Sequence, residues 1–168
     1  METLTVLKFE TADGAEKALR VVQDLSKQNL INLHDAAIVT WPEGKKKPKT
    51  EQLHDLKGAG ALSGAFWGML FGLIFFVPLL GLAVGAAMGA LTGSMTDIGI
   101  NDEFIRSVRG KVTEGTSALF LMTSDAVKDR VAEAARGMKF EIIATNLSKE
   151  EEKKLHETFA EEETAPAR

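Results

Sequence analysis

Residues 58–96 read GAGALSGAFWGMLFGLIFFVPLLGLAVGAAMGALTGSMT, and no side chain among them is ionisable. Gly60, Gly64, Gly68 and Gly72 recur every fourth residue, and Gly81, Gly85, Gly89 and Gly93 do so again. Between the two series stands Phe75-Phe76-Val77-Pro78-Leu79-Leu80. Glycine costs a water-exposed helix about 1 kcal/mol per residue, so two such rows are out of place in a lone soluble helix. In a bilayer the backbone must hydrogen-bond internally, which enforces helix, and glycine then lets two backbones approach. A row at i, i+4 lies on one ridge, the geometry of close crossings. The stretch predicts a glycine-zipper hairpin, with helix one from Gly58 to Val77 and helix two from Leu79 to Met95. Each helix is near the minimum that spans a hydrocarbon core of about 30 Å. The tip is wholly apolar, which suits a re-entrant wedge as well as a full span. In both cases the two ends lie on the same side of the membrane.

The eight glycines are the expected helix-packing residues. Leu62, Phe66, Leu70 and Leu73 occupy the opposite face of helix one and, with Phe75, Phe76, Leu79 and Leu80 at the tip, are expected to face lipid. Helix two is small on several sides, with Ala83 and Ala87 on one row and Ala86 and Ala90 on another. That predicts one close contact inside the hairpin and others between protomers. The competing arrangement is a soluble oligomer that buries the hairpin in a helical core, and so long an uncharged stretch argues against it.

Outward from the hairpin the composition changes sharply. A basic linker, residues 43–57, carries Lys45, Lys46, Lys47 and Lys49, with Lys57 at the hairpin border. Such a cluster beside a membrane segment attracts anionic lipid and marks the cytoplasmic side. The plainer alternative is a solvated loop, diluted by Glu43, Glu51 and Asp55. On the far side, residues 97–112 read as an amphipathic helix capped by Asn101. Phe104, Ile105, Val108 and Val112 share a face, which could rest on headgroups or pack on the protein itself.

The two ends of the chain repeat one pattern. Residues 1–42 give a strand over Thr3–Phe9, a helix opened by an Asp13/Glu16 capping box, and a strand over His34–Trp41. Residues 113–145 give a strand over Thr116–Met122, a helix capped by Ser124 or Asp125 with a Val127, Val131, Ala134, Ala135, Met138 stripe, and a strand over Lys139–Thr145. Residues 146–168 form an acidic helix and tail, opened by a Ser148/Glu151 capping box. The expected fold class is α+β: a ferredoxin-like βαβ–βαβ domain, four antiparallel strands with two helices on one face, into which the apolar hairpin is inserted. The other face would be open. Its strands are too apolar to stay exposed, which predicts a sheet contact between protomers beside partial cover from the Phe104–Val112 and C-terminal helices.

The inventory for chemistry is thin. The chain has no cysteine and a net charge of −4, so thiol chemistry is excluded and nucleic acid is not an expected partner. His34, His54 and His156 are scattered without ligand-like spacing. No Ser-His-Asp set is recognisable, and the glycines have zipper spacing rather than phosphate-loop spacing. The N-terminus lacks a basic and apolar leader pattern, so a cleaved secretory signal is not expected. No catalytic residue, cofactor, metal or small-molecule substrate is predicted.

The split βαβ halves, the hairpin, and the runs Ile100-Asn101-Asp102-Glu103-Phe104-Ile105 and Gly115-Thr116-Ser117-Ala118-Leu119-Phe120-Leu121 together resemble the domain-of-unknown-function 1269 family of small bacterial membrane proteins. The resemblance covers roughly residues 3–145 and implies the fold and a membrane setting, without any catalytic residue. The expected function is a non-enzymatic, homo-oligomeric scaffold at the cell inner membrane, its soluble domain on the cytoplasmic side, with the bilayer, anionic lipid and further copies of itself as partners. The alternatives are a pore lined by zipper helices and a small-ligand sensor using the sheet. The pore is disfavoured because Ser63, Thr92, Ser94 and Thr96 are the hairpin's only polar side chains.

Overall fold

The computed structural model describes residues 2–53, 64–76, 95–124 and 128–159. Five strands form one antiparallel sheet: β1 (Thr3–Phe9), β2 (Leu33–Thr40), β3 (Lys49–Gln52), β4 (Ser117–Thr123) and β5 (Phe140–Asn146). Their order across the sheet is β3-β2-β4-β1-β5. The two central strands, β1 and β4, pair in register from Thr3 opposite Thr123 to Phe9 opposite Ser117. Every residue of both is buried. A strand buried on two faces has no reason to alternate, and LTVLKF and ALFLM do not.

One face of the sheet carries α1 (Gly14–Lys27) and α4 (Lys128–Ala134). Leu7, Phe9, Ala36, Leu119 and Leu121 pack there against Ala15, Ala18, Val22, Leu25 and Val131. Asp13 stands at the N-cap of α1 but makes no side-chain cap, so the expected capping box does not form. Its carboxylate is 3.4 Å from Lys17 instead. Hydrogen bonds to Thr11 and then Lys17 hold its pKa below the usual carboxylate value. At the other end, Leu30 N–H donates to Leu25 O and Asn29 N–H to Ser26 O, with Asn29 at φ 60°. That is the Schellman stop, in which asparagine takes the left-handed position glycine usually fills.

The opposite face is covered as well, and by the chain itself. Helix α2 (Gly64–Phe71) runs into a π-helical turn (Gly72–Phe76) and lies on this face. Phe66, Trp67, Leu70, Phe71, Leu73, Ile74 and Phe75 are all buried in one core with Leu4, Val6, Ala37, Val39, Ala118, Phe120 and Met122. Met95, Ile98 and Ile100 join them, as do Phe104, Ile105 and Val108 of α3 (Asp102–Lys111). Leu155 of α5 (Lys149–Phe159) is fully buried there too. Phe71 meets Phe120 edge-on across this interface at 5.0 Å, and Trp67 stacks on Phe71 within α2 at 5.6 Å. The molecule therefore has three layers, with the sheet in the middle.

Several expectations change. The sheet has five strands where four are expected, because Lys49–Gln52 inside the basic linker pairs with Ala37–Thr40. The apolar face is not open, so it needs no second copy to cover it. The apolar segment contributes seven buried side chains to that cover, beside Phe104, Ile105 and Val108 of α3 and Leu155 of α5. Ala134 is exposed, while Val131 and Ala135 are buried as their spacing predicts. The amphipathic helix is capped as read, with Phe104 N–H donating to Asn101 Oδ1 at 2.9 Å. It packs on its own protein. The second capping box also forms: Ser148 N–H donates to Glu151 Oε1 at 2.8 Å and Glu151 N–H to Ser148 Oγ at 3.2 Å. The hairpin's second helix and the Ser124/Asp125 helix start lie outside the described residues, apart from Met95 and Ser124.

Candidate functional site

Strand β2 shifts register between Leu33 and Asp35, which pair with Thr123 and Met122 of β4. This bulge accompanies the one buried acid of the sheet. Asp35 is 1% exposed. Its Oδ1 accepts from Ala36 N–H at 2.8 Å. Its Oδ2 accepts from Gln52 Nε2 at 3.1 Å and from the indole Nε1–H of Trp67 at 3.0 Å. A buried carboxylate is tolerated when its lone pairs are filled. Here one donor comes from β3 and one from α2, so Asp35 fastens both to the middle of the sheet.

A second tie joins α2 to α3. Arg109 donates from Nε to Ile74 O at 3.1 Å and through a terminal nitrogen to Leu73 O at 2.7 Å. Both acceptors are carbonyls of the π-helical turn, where the ordinary i→i−4 ladder is interrupted. The guanidinium is planar and forked, which suits two adjacent carbonyls.

The loop between β2 and β3 holds the lysines. Lys45, Lys46, Lys47 and Lys49 are exposed around a buried Pro48. With Pro42 they line an open hollow of about 660 Å³. The loop is braced: Trp41 Nε1–H donates to Lys45 O at 2.9 Å, and Gly44 N–H donates to Glu114 Oε2 at 2.9 Å. Trp41 also meets Phe75 edge-on, with ring centroids 6.2 Å apart. The basic loop thus stands beside Phe75, at the end of the described stretch Gly64–Phe76, rather than at its start as its place in the sequence suggests.

The remaining expected site residues divide clearly. Among the glycines, Gly60, Gly81, Gly85, Gly89 and Gly93 lie outside the described residues, as do Leu62, Leu79, Leu80 and Lys57. Gly64 and Gly68 are on the exposed side of α2. A methyl group added at Gly68 or Gly72 would meet nothing within 4 Å, and at Gly64 only Gln52 Oε1 at 3.7 Å. No backbone approaches these three among the described residues. Phe66, Leu70, Leu73 and Phe75, expected to face lipid, are buried against the sheet, and Phe76 is half-buried beside them. The physical reason is that apolar attraction has no direction: the sheet face offers them the same refuge as hydrocarbon.

Sequence reasoning missed Asp35 and Arg109. Asp35 leaves a trace, an acid at the start of the apolar run Ala36-Ala37-Ile38-Val39. Its partner Trp67 is too distant in sequence to be read. Among the described residues no cluster of three or more histidines or acids could hold a metal. None of their helices is long and apolar enough to cross a membrane.

No curated protein and no solved structure matches the chain. A family model does, described as protein of unknown function, and it takes in α2, the π-helical turn, α3, β4, α4, β5 and α5. Because that match runs over residues 61–160 of the 168, the chain belongs to the DUF1269 family.

Proposed function

We propose that the protein is a non-enzymatic, membrane-associated scaffold that assembles from copies of itself, with residues 58–96 inserted in the bilayer and the sheet domain on the cytoplasmic side of the inner membrane. The observation that carries this reading is the uncharged run itself. Residues 58–96 hold more apolar side chain than any soluble loop needs, with glycines at helix-packing intervals. The lysine loop supports it, since its four exposed cations neighbour Trp41, whose ring meets Phe75 in the middle of that run. Cations and aromatic rings together suit the anionic headgroup layer and the interface below it. The exposed Gly64, Ala65 and Gly68 on α2 support a close contact with another small-faced helix. The order β2-β4-β1-β5, with α1 and α4 on one face, supports reading the domain as ferredoxin-like, with β3 added at one edge. The test is fractionation. The protein is expected to sediment with bilayers, to resist extraction by high salt and to come off with detergent. Recovery as a detergent-free monomer from the soluble fraction would end this reading.

A further inference from the structure

The same seven side chains cannot be buried against the sheet and inserted in lipid at once. Phe66, Trp67, Leu70, Phe71, Leu73, Ile74 and Phe75 have 0–3% exposure in the described fold. Release into water would expose all of them together. Release into hydrocarbon would exchange one apolar surrounding for another. Two things distinguish the states: the vacated face of Leu4, Val6, Val39, Phe120 and Met122 needs new cover, and two polar ties break, since the Trp67 indole leaves Asp35 and Arg109 leaves the carbonyls of Leu73 and Ile74. Neither tie is needed to bury apolar surface. Both act only while the segment lies on the sheet.

We infer that the Gly64–Phe76 segment is stored on the sheet by the Asp35–Trp67 and Arg109–carbonyl ties, and that membrane insertion is an exchange in which the segment leaves the sheet for the bilayer. The inference rests on the membrane reading above and adds its regulation: a latched form and an inserted form of one chain. Its trigger is contact with an anionic surface. The lysine loop abuts the stored segment through Trp41 and Phe75, so lipid that engages the lysines is brought to the end of the segment that must move.

The chain has two tryptophans, so Trp41→Phe leaves Trp67 as the sole reporter while keeping a ring against Phe75. The full-length variant is mixed with vesicles of zwitterionic and anionic phospholipid whose acyl chains carry bromine, a quencher confined to hydrocarbon. Trp67 emission is expected to fall on binding. Adding Arg109→Gln is expected to raise the quenched fraction at limiting lipid about tenfold, since it removes two charge-assisted hydrogen bonds from the stored form alone. Arg109 is half-buried at the surface of α3, and iodide protection of Trp67 without vesicles checks that the variant starts stored. Asp35→Asn is a second, independent weakening of the same form and should shift the fraction the same way. Vesicle sedimentation with unquenched Trp67 overturns the exchange and leaves membrane association standing. Quenching indifferent to both substitutions overturns the latch. Failure to sediment with vesicles at all overturns the membrane reading and the exchange with it.

Discussion

Gly68 shows how one residue can look different from the sequence and from the fold. In the sequence it belongs to a row of glycines whose spacing predicts backbone contact. Among the described residues a Cβ there would meet nothing within 4 Å. Its side of α2 is exposed, while Phe66 and Trp67 on the other side are buried. An exposed mid-helix glycine costs the isolated chain backbone entropy and gains it no packing. Gly68→Ala is therefore expected to raise the folding stability of the detergent-free chain by about 0.5–1 kcal/mol, read as a higher urea midpoint at constant m-value. A drop in stability would mean that a neighbour closer than any in this fold touches Gly68. Gly14 is the contrasting case. It is buried, and a Cβ on it would come within 2.5 Å of Phe9 Cβ. That glycine lets α1 start against the end of β1, a requirement no spacing rule reveals. Asp35 teaches the same lesson for polarity, because its meaning depends on an indole 32 positions away.

Single elements were most legible where their signals are local. The cap of α3 and the capping box of α5 each need only residues three apart, and both form as read. The capping box of α1 has the same letters and does not form, since Asp13 turns to Thr11 and Lys17. The β2–β3 hairpin escaped notice because Lys49–Gln52 is short and polar, with alternating exposure typical of an edge. The charged Lys49 and Glu51 on this short edge strand also discourage pairing with another sheet. Lys45, Lys46, Lys47 and Lys49 line the hollow at this hairpin together with Pro42 and Pro48. Replacing Lys45, Lys46, Lys47 and Lys49 together by Gln is expected to weaken binding to anionic vesicles at least tenfold at low salt, at about 1 kcal/mol per lysine. Binding to neutral vesicles should be unchanged. Cosedimentation across a salt series checks both, and equal binding to anionic vesicles would reduce the cluster to a solvated loop.

At the scale of the molecule, the decisive feature is a sheet buried on both faces. Seven large apolar side chains come from the α2 segment, and full burial of each is worth about 1.5–3 kcal/mol as an upper estimate. That is comparable to the whole net stability of an ordinary domain, about 5–15 kcal/mol. A variant lacking residues 58–96 would leave Leu4, Val6, Val39, Phe120 and Met122 without their main cover. It is expected to self-associate or bind hydrophobic dye strongly, and sedimentation velocity at rising concentration measures this. A strictly monomeric, dye-free variant would show that α3 and α5 re-cover the face alone.

The strands β1, β2, β4 and β5, the helices α1, α3, α4 and α5, and the family can all be read from linear order, because periodicity, caps and turn residues are local properties of the chain. The sequence also shows that residues 58–96 carry no ionisable side chain. Where the described part of that run goes is legible only in the fold. Hydrophobicity sets how much surface must be removed from water and not what removes it, so Phe66, Leu70 and Phe75 read equally well as facing lipid or facing a sheet. The choice was made by two things invisible in linear order: the shape of the face built by β1, β2 and β4, and the polar ties from Asp35 and Arg109 that fit only when the segment lies across it.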